Sequence, residues 1–511
     1  VDTLSETLLG DMASKGIDAK LTLSILEDYN TGLYDSVKPV QAKGVPAVDG
    51  RRVIRLGSRG GLPAGAPAYS APEKAARERL GELGVKVPSS GAEAAGGELR
   101  LDLGALEEIG DGLLGRTAFG VLNGGSATSY ADSKKNLAFG KEAFDALEGG
   151  FELLAPLCRD RPKGLTPAYI DPDGTPGASF LLLKMRARLV AAKRARARGG
   201  KAGPDFMPLF QMTSVSNDEE VAEAYEGYRE SPFLAPLAAE LGVGAADWAT
   251  GVQPMLAAYT HSSEGRPKRV FDRAHGHSDS ALALPGGHGQ CFRILAPTLR
   301  ELRRRGVRFA YLGNVDNLGY LPDPVEVAVL ALSGEPAAFD FSVRTPVDVK
   351  GGILVETREG LRTVADIGPA IAFDEVRRLE ASGSAILFNC ATGLFDLDYL
   401  APRLDEIGRM LPVRFTDQDK DAGRYSQAEQ VTWEVTGMLP SFLAFAVDKY
   451  DRFIAAKLLA ETLLTSGAAA GDRRIPPELA RTSKKLKDAL EAKLSGPYGL
   501  ELQGGKWAPA D

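Results

Sequence analysis

From about residue 100 to about residue 410 the chain keeps one rhythm, in which a short apolar run bounded by Gly, Pro or Asp is followed by a longer segment of helical spacing. Thr117–Leu122, Phe206–Met212, Val307–Leu312, Val325–Leu332, Ile353–Thr357 and Ala385–Phe388 read as strands, with helices such as Lys141–Leu147, Ser179–Arg198 and Pro297–Arg305 between them. Parallel strands need long crossover connections, and helices of this length supply them. The alternation therefore predicts an α/β sandwich around a mixed, mostly parallel sheet. No internal repeat is present.

The flanks differ. Residues 1–97 predict a helical N-terminal domain, from the spacing of Leu4, Leu8 and Leu9 and of Leu21, Leu23, Ile25 and Leu26, with a loop over Gly57–Pro72 and a small-residue linker over Ser89–Gly97. Residues 98–410 form the α/β core, and residues 411–511 predict a mostly helical C-terminal domain, with long patterns over Gln430–Leu464 and Pro476–Leu494. Sixty-one Lys and Arg against 68 Asp and Glu leave a net charge of −7, the wrong sign for a nucleic-acid coat or an anionic-membrane binder. Three widely spaced cysteines suit neither a disulfide framework nor a zinc motif. With an acidic start that lacks the parts of a signal peptide, and an apolar stretch (Val435–Val447) too short to span a bilayer, they predict a soluble, cytoplasmic protein.

Three turns stand out at or near strand ends. Asn123-Gly124-Gly125-Ser126 follows the first core strand, where a double glycine brings backbone N–H groups close to phosphate oxygens; Lys134 or Lys135 lies ten residues on. Taken locally, a tight strand-to-helix turn accounts for it as well. Pro285-Gly286-Gly287-His288-Gly289-Gln290 sets one of only four histidines in a glycine turn, which suits a planar base or sugar and equally a surface loop. Asn314-Val315-Asp316-Asn317-Leu318-Gly319 places a carboxylate at a parallel strand's carboxyl end, where open α/β sheets bind ligands and a hard cation finds oxygen; an Asx-turn is the plain alternative. His275-Gly276-His277 has no third metal ligand in view, and the basic run Lys184–Lys201 reads as the solvated face of a core-packed helix.

In this order, and with Val347-Asp348-Val349-Lys350-Gly351-Gly352, Phe388-Asn389 and Arg452-Phe453-Ile454-Ala455-Ala456-Lys457, the segments resemble the UDP-glucose pyrophosphorylases, UTP:glucose-1-phosphate uridylyltransferases of the wider UDP-sugar pyrophosphorylase group. The resemblance covers roughly residues 115–460. It implies a Rossmann-like nucleotidyltransferase core and a set of roles. Leu122, Asn123, Gly124, Gly125 and Ser126 lie along the nucleotide, Lys135 meets its phosphates, and Gln253 reads the uracil edge. Gly287 and His288 touch base, sugar or α-phosphate, and Asn314 lies beside the sugar. Asp316 holds Mg²⁺, Lys350, Gly352 and Asn389 serve the sugar side, and Lys457 reaches the phosphate from the C-terminal part.

The activity so implied is transfer of a uridylyl group from UTP to a sugar 1-phosphate, with small molecules as the only partners and no assembly state assigned. The sequence departs from the family at Ala127, at Gln290 and at Ala391, where a second asparagine is expected; Asp366 stands where a sugar-contacting carboxylate is sought. Ala391 leaves other sugars open, galactose or N-acetylhexosamine 1-phosphate among them. The altered glycine loop leaves room for a silent nucleotide-sugar binder.

Overall fold

A computed structural model describes residues 4–36, 40–56, 68–125, 127, 130–137, 140–199, 203–244, 248–345 and 351–510. Most of the loop expected over Gly57–Pro72, and the site residues Ser126 and Lys350, lie outside the described residues.

One 11-stranded sheet organises the chain. Its strands are β1 (Ala42–Gly44), β2 (Val53–Arg55), β3 (Thr117–Leu122), β4 (Leu209–Ser214), β5 (Trp248–Gln253), β6 (Phe309–Asn314), β7 (Ala337–Val343), β8 (Gly352–Thr357), β9 (Arg362–Asp366), β10 (Leu387–Asp396) and β11 (Leu443–Val447). The main path runs β2-β11-β7-β10-β6-β3-β4-β5. Every strand on it is parallel except β10, which is antiparallel to both neighbours. β8 pairs with β1, β9 and β10 and extends the sheet. The α/β class with a mostly parallel sheet is thus observed, and both faces are covered. On β3 and β6, Phe119, Val121, Phe309 and Tyr311 enter one apolar cluster, while Ala118, Leu122, Ala310 and Leu312 enter the other.

Helices follow their caps. Helices α1 (Glu6–Ser14) and α2 (Ala19–Asn30) open the chain and pack on the segment around Met255 and Tyr259. Helix α3 (Phe180–Ala197) starts where the Ser179 hydroxyl accepts the Leu182 N–H. The apolar run Val325–Leu332, expected as a strand, is the buried helix α4 (Pro324–Ser333). An apolar run buried on every side reads alike as strand or helix; Asp323 as N-cap, Pro324 at the first position and the left-handed Gly334 at the end decide it. Gln430–Leu464, expected as helix, contains instead a short 3₁₀ turn and the buried strand β11, followed late by helix α5 (Leu459–Thr465). The basic run is not solvated in its first half. Lys184, Arg186 and Arg188 are 0%, 2% and 3% exposed, and each donates to backbone carbonyls of other segments. No helix among the described residues is long and apolar enough to cross a membrane.

Candidate active site

The path order turns at β3. Strands β4 and β5 lie on one side of it, and β6, next in sequence, lies on the other, so a crevice opens at the carboxyl ends of β3 and β6. Their register sets Leu122 beside Asn314.

The diglycine turn leaves β3 here. Asn123 is buried; its Oδ1 accepts the Gly164 N–H at 3.1 Å and its carbonyl accepts from Asn217 Nδ2. A side chain on Gly124 would meet Gln253 Oε1 at 3.3 Å, whereas one on Gly125 would meet open space. The turn therefore fronts Gln253 on one side and the crevice on the other. Gln253 ends β5 and is 5% exposed. Its Nε2 donates to the Gly287 carbonyl at 2.8 Å and to Gln290 Oε1 at 3.0 Å, which fixes the amide. Gln290, a departure from the family pattern, is thus part of what orients Gln253.

Gly287 has φ +81, and a Cβ there would lie 2.3 Å from the Gln430 carbonyl oxygen. Only glycine lets this turn close against the strand Gly423–Gln430. At His288 the backbone N–H of Thr432 donates to Nδ1 at 3.1 Å. Nδ1 therefore accepts, and the neutral ring carries its proton on Nε2. Desolvation, and next the positive charge of Lys457, bring the imidazole down to about 4, so the ring is neutral at physiological pH.

Asp316 follows β6. Its Oδ1 is buried and has no hydrogen-bond partner among the described residues, and its Oδ2 lies 3.9 Å from Lys457 Nζ. Lys457 stands just ahead of α5, its side chain 66% exposed. The two meet because the backbone of Ala455 bridges Asn317, whose side chain accepts the Ile454 N–H and donates to the Arg452 carbonyl. Sequence distance is thereby cancelled by one antiparallel contact.

Lys135 lies exposed on the short helix Ser133–Asn136. A second lysine, Lys163, absent from the sequence-based set, is packed into the crevice. It is 8% exposed, its Nζ has no hydrogen-bond partner among the described residues, and it sits over the Tyr130 ring. Its backbone N–H donates to the Gly125 carbonyl, which fastens it to the diglycine turn. Burial lowers its ammonium to about 7; the nearby charge of Asp316 opposes the shift and that of Lys457 adds to it. A signal existed in Arg161-Pro162-Lys163-Gly164, where a lysine stands on a stiff Pro–Gly turn. The carboxylate of Glu461, which accepts the N–H groups of Lys457 and Leu458, completes this charged group.

Asn389 and Gly352 lie on the β10–β8 side of the sheet. Asn389 pairs with Phe341 across the strands, and its Oδ1 accepts the Ala391 N–H. Ala391 takes φ +53, a left-handed conformation that asparagine and glycine adopt more readily than alanine, where β10 shifts register against β7. Gly352 is directly opposite Asp366, whose carboxylate pairs with Arg414 at 2.8 Å. Among the described residues no group of three His, Cys, Asp or Glu side chains could hold a metal.

Comparison with known proteins meets this geometry. The sequence model of the UDPGP family, UTP--glucose-1-phosphate uridylyltransferase, matches residues 268–468, the part that holds His288, Asp316, Asn389 and Lys457. No curated protein matches the chain in sequence. Among solved structures, the uridine diphosphate N-acetylglucosamine pyrophosphorylase of Trypanosoma brucei is similar over 96% of this chain and 92% of its own, with TM-score 0.57 and 16% identity. The UDP-glucose phosphorylase of the same organism is similar over 90% and 77%, with TM-score 0.54 and 17% identity. A UDP-glucose pyrophosphorylase variant of Leishmania major in complex with UDP-glucose is similar over 90% and 79%, with TM-score 0.50 and 16% identity. At such identities the structures speak for the fold. The family match over residues 268–468 and the shared fold together bear out the resemblance to the UDP-glucose and UDP-sugar pyrophosphorylases.

Proposed function

We propose that the chain is a uridylyltransferase that forms a UDP-sugar and pyrophosphate from UTP and a sugar 1-phosphate, with glucose 1-phosphate as the sugar substrate. One observation carries the reading: Lys163, Asp316 and Lys457 converge at the carboxyl ends of β3 and β6, beside the diglycine turn and a neutral His288. Two anionic substrates have to be held together, and two lysines offset their repulsion.

In this reading Gln253, held by Gly287 and Gln290, meets the uracil edge, and the diglycine turn lies along the nucleotide. Lys163 meets the triphosphate, whose charge restores the proton that burial weakens. His288 donates from Nε2 to a phosphate or sugar oxygen. A 1-phosphate oxygen attacks the α-phosphorus in line, the new P–O bond forms, and the bond to the leaving pyrophosphate breaks, its negative charge met by the lysines. Gly352, Asn389 and, beyond the described residues, Lys350 serve the sugar side in this reading, and the Gly352–Asp366 register supports adding Asp366 to them. We propose Mg²⁺ as cofactor, held by Asp316. The buried, unbonded Oδ1 fits a hard cation that takes one carboxylate and fills its other positions with phosphate and water. When bound there, Mg²⁺ supplies neutralisation of charge at the α-phosphate. Three buried free thiols are in keeping with the reducing cytoplasm we propose for the chain.

Ala391 favours a second reading of the sugar, because a side-chain amide is missing beside Asn389; N-acetylglucosamine 1-phosphate is then the substrate to set against glucose 1-phosphate. Incubation with UTP, Mg²⁺ and a panel of sugar 1-phosphates, with pyrophosphate release as the readout, tests both. Turnover with glucose 1-phosphate and UTP, and far less with ATP or GTP, supports the first reading. No turnover with any sugar, alongside measurable UDP-glucose binding, makes the chain a silent binder.

A further inference from the structure

Three cations of α3 are buried, and each grips a different segment. Arg186 holds the carbonyls of Tyr498, Phe233 and Gly499, and Arg188 holds those of Phe206, Met207 and Gly244. Lys184, fully buried, reaches the turn that carries Asp316. Its Nζ donates to the carbonyls of Asn317 at 2.5 Å and Tyr320 at 2.6 Å, and it lies 5.1 Å from the centre of the Tyr320 ring.

That turn is braced from the other side as well. The Asn317 side chain ties it to Arg452 and Ile454, the segment that leads to Lys457, and the Leu318 N–H donates to the Ile454 carbonyl. Tyr320 donates its hydroxyl to the Gly120 carbonyl of β3, and Tyr498 donates to the Leu318 carbonyl. Among the described residues no carboxylate lies within ion-pair distance of Lys184. The negative charge that acts on it most is Asp316; Arg452 and Lys493 act against it. Burial drives its ammonium well below the ordinary lysine range, and the two carbonyls that its Nζ meets both belong to this turn.

We propose that Lys184 is a positioning residue for Asp316: from behind the turn its Nζ pins the carbonyls of Asn317 and Tyr320, so that Oδ1 stays immobile and unbonded for a cation. This rests on the reading of Asp316 as the group that meets Mg²⁺ and the α-phosphate. Arg186 and Arg188, on the same helix, make no such contact, which separates the role from general fastening of α3.

The test uses the full chain. Lys184→Met keeps the length of the side chain and removes charge and donors. Expected is a fall of about tenfold or more in kcat with KM for UTP and for the sugar 1-phosphate within about threefold of wild type. Binding of Mn²⁺ in the presence of UTP, followed by the electron paramagnetic resonance of the free ion, weakens by about fivefold or more, with the melting temperature nearly kept. Lys184→Gln, which retains one N–H donor without charge, falls between the two, and takes the place of Lys184→Met if that variant does not fold. A folded variant with kcat and Mn²⁺ affinity within about twofold of wild type overturns the proposal. So does loss of activity that only tracks loss of folded protein, and so does a wild type that binds no Mn²⁺ with UTP. A wild type without turnover on any sugar 1-phosphate sinks the uridylyltransferase reading instead, and the Mn²⁺ titration then decides Lys184 by itself.

Discussion

Replacing Lys163 by methionine separates what this ammonium does for folding from what it does for a ligand. In the free protein its proton affinity falls from the ordinary 10.5 to about 7, chiefly through burial. At 1.36 kcal/mol for each factor of ten, keeping it charged costs the folded state roughly 5 kcal/mol below pH 7. Contact with the Tyr130 ring returns about 1–2 kcal/mol, and among the described residues Nζ makes no hydrogen bond to lose. Lys163→Met should therefore stabilise the chain by about 3 kcal/mol at pH 6. The sign with pH follows from the lowered value. Between about pH 7 and 10.5 the unfolded chain binds the proton and the folded chain does not, so wild-type stability rises with pH and the gap to the variant narrows by about 1.4 kcal/mol per pH unit. Guanidinium unfolding of both proteins at about pH 6 and pH 8.5 reads this directly, with an expected shrinkage of roughly 2 kcal/mol. The same variant should lose about a hundredfold or more in kcat/KM for UTP. A variant less stable than wild type at the lower pH, or a gap that ignores pH, refutes the burial argument; full activity refutes the phosphate role.

Asp316→Ala should lose most of kcat while remaining folded, and near-normal kcat at saturating Mg²⁺ would make Asp316 a turn residue only. Lys457→Ala, at a largely exposed side chain, should cost on the order of tenfold to a thousandfold in kcat/KM with little change in melting temperature. In the same variant the His288 ring, held at about 4 partly by Lys457, should titrate higher by NMR; an unmoved ring would separate the two residues. Gly287→Ala places a Cβ against the Gln430 carbonyl at φ +81 and should destabilise by about 2–3 kcal/mol while raising KM for UTP, checked by chemical unfolding and steady-state kinetics. Ala391→Gly relieves a left-handed alanine and should stabilise by about 1 kcal/mol, read as a higher unfolding midpoint at unchanged slope.

Much of the core was legible along the chain. Thr117–Leu122 is a strand to the residue, and Pro476–Leu494 is seen as the helix Pro477–Ser495. Two elements that misled share one physical cause. Val325–Leu332 and the strand Leu443–Val447 are buried on all sides, so neither period of two nor period of 3.6 shows in their composition. For α4 the caps carried the missing information. For β11 nothing local did, since a parallel strand between β2 and β7 draws its hydrogen bonds from residues far away in sequence.

The site divides in the same way. By itself the sequence determined the turns: where glycine lets backbone approach a ligand, where a carboxylate ends a strand, and in what order these come, because local backbone chemistry is written in adjacent residues. Asp316, taken from one of those turns, and Lys457, implied by the resemblance, stand 3.9 Å apart in the fold. Which lysine is buried against the diglycine turn, that the proton of His288 sits on Nε2, and that a helix regarded as basic on its solvent face sends Lys184 beneath the Asp316 turn were decided only by the tertiary structure. Each depends on burial and on a partner from another segment. Desolvation and Coulomb energy act through space, so the lowered proton affinity of Lys163 appears only once the sheet has brought the rest of the chain around it, while Lys135 stays exposed on its short helix.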